Sequence, residues 1–158
     1  PQPQGRRGRA PRRPPLRLRS RVFRREVPAV KHTGLFGQLH ERRAARREGF
    51  DDAVFTDGSG VVSEGPTWNI GFHDGRDLVW PEADVLPGVT MTLLRRSLGG
   101  VSAPVTRELP GIQAAFATSA GTGVRAVAAV DERRLADDHP VLATLRAAYE
   151  AVPAEPLE

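Results

Sequence analysis

Two Asp-Gly pairs, Asp57-Gly58 and Asp74-Gly75, set the firmest limit on how this chain folds, because each interrupts a run of β-branched and aromatic residues. A tight hairpin turn needs positive φ angles, which Gly supplies and Asp tolerates, so such pairs join strands that run back on themselves. Residues 51–80 are therefore expected to form a β-meander, with strands near 53–56, 61–63, 67–72 and 78–80. Ahead of it, residues 16–23 alternate apolar and polar side chains, the period of a strand with one buried face. Further strands are expected near 102–105, 114–117 and 124–130.

Helical spacing interleaves with these runs. Residues 33–48 carry Leu35, Phe36, Leu39 and Ala44 along one face and Arg42, Arg43, Arg46 and Arg47 on a solvated one, with Gly49 as the stop. A second helix, 90–98, opens after Leu86-Pro87-Gly88 and closes at Gly99-Gly100. The last, 140–151, has the stripe Val141, Leu142, Leu145, Ala148 and Tyr149, with Asp137 or Asp138 available as a cap. Hairpins mixed with helices imply an α/β or α+β fold.

Composition narrows the class. The 158 residues, 27% charged and 39% hydrophobic, suit one globular domain. No apolar run is long enough to cross a bilayer and no apolar segment follows the Arg-rich start, so a soluble, cytoplasmic protein is expected. Zero cysteines exclude disulfides, thiolate metal sites and cysteine nucleophiles. The net charge of +4 is uneven: residues 1–25 hold ten Arg and no acid, and the other 133 hold 13 basic against 19 acidic residues, a formal −6. Residues 1–15, with five Pro and five Arg, read as a disordered tail, and residues 16–158 as the domain. No aromatic side chain interleaves with the tail arginines, so nucleic-acid binding is not expected.

Of the 23 basic residues only Lys31 is a lysine. A lysine amine can lose its proton and attack a carbonyl to form a Schiff base, which an arginine cannot do. Glu64 stands between two expected strands in Ser63-Glu64-Gly65-Pro66-Thr67-Trp68-Asn69, where a buried acid would need a cationic partner. Leu86-Pro87-Gly88-Val89-Thr90 leads into a helix whose first amides would favour a phosphate. The loop from Thr118 to Gly123 offers further amides and hydroxyls. Each also has a plain reading: a solubilising lysine, a turn acid in solvent, an unliganded helix start, a connecting loop. His32, His40, His73 and His139 lack zinc-protease spacing, and neither a Gly-x-Ser-x-Gly elbow nor a Gly-Lys-Ser/Thr phosphate loop is present.

Taken in order, Lys31, Glu64-Gly-x-x-x-Asn69 and Leu86-Pro-Gly-Val-Thr90 resemble the C-terminal, cofactor-binding half of the class IV (fold-type IV) pyridoxal-phosphate-dependent aminotransferases. That family includes branched-chain and D-amino-acid aminotransferases and aminodeoxychorismate lyase. The resemblance covers roughly residues 30–149 and implies a mixed sheet or pseudo-barrel with flanking helices. It implies pyridoxal 5'-phosphate as cofactor, Lys31 as its Schiff-base partner and proton carrier, and Glu64 as the partner of the pyridinium nitrogen. By the same resemblance Val89 and Thr90 bind the phosphate, and Ser119 and Ala120 complete that site. Substrates would be an amino acid and a 2-oxo acid, and the assembly a homodimer. Lys31-His32 is similar to the lyase branch, whereas Leu-Pro-Gly-Val-Thr is more like the transaminases. Three positions depart from the pattern: Phe36 stands where many members have Tyr, Leu35 where lyases tend to have Arg, and Ala120 where a phosphate-binding Thr is common. The family's N-terminal domain, which forms one wall of the cleft, has no counterpart in the sequence, so a truncated, inactive relative acting as a binding module is a third expectation beside transaminase and lyase.

Overall fold

The computed structural model describes residues 13–153; most of the expected 1–15 tail lies outside them. In chain order the elements are β1 (Leu16–Val22), α1 (Phe36–Arg47), β2 (Asp52–Thr56), β3 (Asn69–His73), β4 (Leu78–Pro81), α2 (Val89–Leu98), β5 (Val101–Ala103), β6 (Ala114–Ser119), β7 (Gly123–Val130), β8 (Arg133–Arg134) and α3 (Pro140–Glu150). They build one mixed sheet in the order β2-β1-β7-β6-β3-β4-β5, with β8 on β7. This is the mixed α/β architecture expected from the alternation of hairpins and helices.

Hairpins form where the turn residues demand them. β3 and β4 pair antiparallel around Asp74 and Gly75, and Gly75 takes φ +97°. The Asp57-Gly58 turn brings residues 61–64 back antiparallel, but only through isolated bridges such as Thr56–Val62, so the expected meander has no regular ladder at β2. That strand lies parallel to β1 at the sheet edge, because α1 provides the long crossover that a parallel pair requires. Residues 61–64 run as a strap instead of a full strand. Phe55 N donates to Glu64 O at 2.8 Å and Ser63 N to Phe55 O at 2.9 Å, and Glu64 bridges to Asn69 at the start of β3. The strap thus ties the β2 edge to β3 and curls the sheet back on itself.

Two hydrophobic clusters occupy opposite faces, and β6 shows the division. Ala115 and Ala117 join Leu16, Leu18, Ile70 and Phe72, whereas Phe116 joins Trp80, Met91, Leu94, Leu142 and Leu145 beneath α2 and α3. With both faces covered, the middle strands are apolar throughout instead of alternating. The α3 stripe packs as its spacing requires, but its cap is His139, whose Nδ1 accepts from Val141 N at 3.2 Å, and not Asp137 or Asp138.

α1 departs most from its sequence pattern. Phe36 is 85% exposed and Leu39 44%, while Gln38 and Ala45 are buried. The helix docks through Ala45 against Ala53 and Phe55, and through Arg42, whose Nε reaches Asp52 at 3.0 Å. A small residue and an ion pair thus fix the inward face, so its larger apolar side chains are left outside. The arginines of β1 are also engaged. Arg19 pairs with Glu48 and Asp131, and Arg21 with Glu41 and Glu48, so part of the N-terminal charge is neutralised by the body. Among the described residues no helix is long and apolar enough to cross a membrane, and no three potential metal ligands cluster.

Candidate active site

Glu64 sits where the strap meets β3 and is only 5% exposed. Its Oε2 accepts from Leu86 N at 3.1 Å and from Asn69 Nδ2 at 3.5 Å, and its Oε1 accepts from Arg25 Nη1 at 3.4 Å. Burial pushes its carboxyl above the ordinary glutamate value, and the Leu86 amide and the Arg25 guanidinium act against that rise. Asn69 donates as well to Leu86 O at 2.8 Å, so it welds the Glu64 turn to the segment before α2.

Two glycines allow this close approach. A Cβ on Gly65 would be driven into the Trp68 indole, and one on Gly88 into Asn69 Oδ1. Gly88 is the N-cap of α2 and carries no side-chain cap, so the first-turn amides of the helix have no partner within it. Thr90, in that turn, is 1% exposed, and its Oγ1 has no hydrogen-bond partner among the described residues. A buried hydroxyl without a partner costs about 1–3 kcal/mol, and it lies beside the positive end of a helix. Both features fit an anionic group such as a phosphate.

The turn after β6 completes the enclosure. Ser119 Oγ and Thr122 Oγ1 lie 2.8 Å apart, while the buried Thr118 hydroxyl turns into the sheet to reach Asn69 O at 3.5 Å. Lys31 and His32 come from the irregular segment between β1 and α1, and both are exposed. The sequence places Lys31 after a strand end, and in the structure it lies nine positions beyond Val22, the last residue of β1.

A cavity of about 380 Å³ joins these segments. Lys31, Glu64, Val89, Thr90, Ser119 and Ala120, the six residues singled out in the sequence, all line it. Phe36 does not, so the position compared with a family tyrosine offers the cavity nothing. Three lining residues, Arg25, Ala29 and Gln38, escaped the sequence reading, and two of them are polar. Arg25 is buried but belongs to an arginine run in which nothing marks one member as internal. Gln38 is buried on a helix whose apolar spacing pointed to another face.

The family model for amino-transferase class IV matches residues 5–130. The chain belongs to that family. The match starts earlier and stops earlier than the motifs alone indicate. Among solved structures, a protein assigned as 4-amino-4-deoxychorismate lyase from Legionella pneumophila is 25% identical, with a TM-score of 0.74 over 83% of this chain and 53% of that one. The branched-chain amino acid aminotransferase of Escherichia coli shares 23% identity, with a TM-score of 0.77 over 87% of this chain and 52% of that one. A branched-chain amino acid aminotransferase of T.th., solved with pyridoxamine 5'-phosphate, shares 24%, with a TM-score of 0.71 over 86% and 50%. The chain thus spans about half the length of these structures. No curated protein matches it.

Proposed function

We propose that this chain holds pyridoxal 5'-phosphate for an enzyme that exchanges an amino group between an amino acid and a 2-oxo acid. The observation that carries this reading is the convergence of three separated motifs on one cavity, with the Thr90 hydroxyl, which has no partner among the described residues, at its helix end. When bound, the cofactor supplies an aldehyde for a Schiff base with Lys31 and a ring that draws off carbanion charge. Lys31 Nζ is the sole lysine amine of the chain and would take the proton from the substrate α-carbon. The Glu64 carboxylate, held by Leu86, Asn69 and Arg25, keeps a proton on the ring nitrogen. Thr90 Oγ1 and the amides of Val89 and Thr90 hold the phosphate, with Ser119 and Ala120 closing its other side. The exposed Val30, Leu39 and Val89 lie on or near the cavity residues, an apolar rim suited to cover by a second copy in a homodimer.

The test is to add the cofactor, record the visible spectrum, reduce with borohydride and map the modified peptide. Because Lys31 is the only lysine, a lysyl adduct has one possible position, and Lys31→Ala must abolish it. No visible band from the unaltered chain refutes the proposal.

A β-elimination lyase is the second reading, favoured by His32 on the cavity wall next to Lys31. It would release a 2-oxo acid without an amino acceptor, whereas a transaminase stalls without one. Supplying and withholding the acceptor separates the two.

A further inference from the structure

Arg25 is buried inside a turn of its own making. The segment after β1 folds back with Val30 N donating to Val27 O at 3.1 Å, and the Arg25 side chain fills its concave side. Nη1 donates to Pro28 O at 2.8 Å and Nη2 to Val30 O at 2.7 Å, while Nη1 also faces Glu64 Oε1 at 3.4 Å. The Val30 carbonyl belongs to the peptide group that leads into Lys31, so this bond sets the plane from which the lysine departs. One guanidinium therefore binds the backbone that carries Lys31 and the carboxylate of Glu64. These groups belong to segments 33 residues apart in sequence.

The arrangement is a poor device for stability alone. Both partners of the ion pair have side chains 7% exposed, and Arg25 Nε is buried without an acceptor among the described residues. Taking two charges out of water costs more than such a pair reliably returns. What it provides is geometry, because a planar fork with several donors fixes angles that a lysine ammonium cannot. Arg25 also stands between the cavity and a second depression lined by Phe23, Phe55 and Asp57.

We propose that Arg25 is a positioning residue: it holds Lys31 and Glu64 in one fixed relation and supplies the cation that balances Glu64. The inference rests on the cofactor reading above. The charged and titratable groups on the cavity are Arg25, Lys31, His32 and Glu64. Removing the guanidinium leaves Glu64 less compensated, which favours protonation of every group beside it.

The experiment compares the full chain with Arg25→Met, Arg25→Lys and, as a control, Arg24→Met, whose exposed side chain pairs with Asp84. Pyridoxal phosphate is titrated against each, and the pH midpoint of the visible band is recorded together with the melting temperature. Arg25→Met should bind the cofactor at least about ten-fold more weakly and raise the midpoint by roughly one unit. Arg25→Lys should restore the midpoint but not the affinity, because one ammonium cannot satisfy two carbonyls and a carboxylate together. Arg24→Met should match the unaltered chain. An Arg25→Met that changes only the melting temperature overturns the proposal. Should that variant fail to fold, an Arg25→Lys with undiminished affinity overturns it. Absence of a band in the unaltered chain refutes the cofactor reading itself, and this inference falls with it.

Discussion

Thr90 gives the sharpest prediction, because one substitution should move stability and binding in opposite directions. Thr90→Val keeps the β-branched shape and removes the hydroxyl that is 1% exposed and has no partner among the described residues. An unsatisfied buried hydroxyl costs about 1–3 kcal/mol, so its removal should stabilise the cofactor-free protein by about 1 kcal/mol. For a domain of this size that is roughly 2–4 °C in melting temperature. The same hydroxyl is assigned to the phosphate, and losing one charge-assisted hydrogen bond of about 1.5–3 kcal/mol weakens binding by about ten-fold or more. Thermal unfolding without ligand and a titration with pyridoxal phosphate read the two effects separately. A destabilised Thr90→Val would give the hydroxyl a partner inside the fold, and unchanged affinity would take it out of the phosphate site; either result refutes the reasoning.

Two further outcomes follow from the same geometry. The folded-state value of Glu64 lies above its ordinary value because of burial, so the folded chain holds a proton there that the unfolded chain has released. Its contribution to stability is therefore lost as pH rises from 4.5 through the raised value, with a slope of up to about 1.4 kcal/mol per pH unit. Asp57, Asp74 and Glu108 are shifted downward by hydrogen bonds, and their contributions are lost only as pH falls below the ordinary carboxylate values. Urea unfolding of the cofactor-free chain at increasing pH above 4.5 should show the falling component, and Glu64→Gln should lack it. Gly88→Ala should force its Cβ against Asn69 Oδ1 and cost about 1–3 kcal/mol of stability. The displaced turn should also weaken cofactor binding, whereas Gly58→Ala, with open space around it, should change neither stability nor binding appreciably.

The hairpin of β3 and β4 and the ends of α1 and α2 at glycines with positive φ could be read locally, because turn chemistry and helix stops depend on a few adjacent residues. The ordered motifs likewise named Lys31, Glu64, Val89 and Thr90 of the cavity, since a lone lysine, an acid in a turn and a Gly-Val-Thr helix start each carry chemistry in their own segment, while Ser119 and Ala120 were named only through the family resemblance. Sheet order could not be read this way. β2 forms its ladder with β1 and not with β3, while residues 61–64 reach it only by isolated bridges, a choice set by the α1 crossover rather than by either strand's composition. The buried face of α1 was decided by the Arg42–Asp52 contact, which spacing does not encode. Arg25 shows the limit most clearly. In sequence it is one arginine among ten near the N-terminus, and only folding the turn around it brings Pro28 O, Val30 O and Glu64 within its reach. Residue chemistry and short-range geometry were present in the sequence, while the pairing of distant charges and carbonyls exists only after the chain has closed on itself.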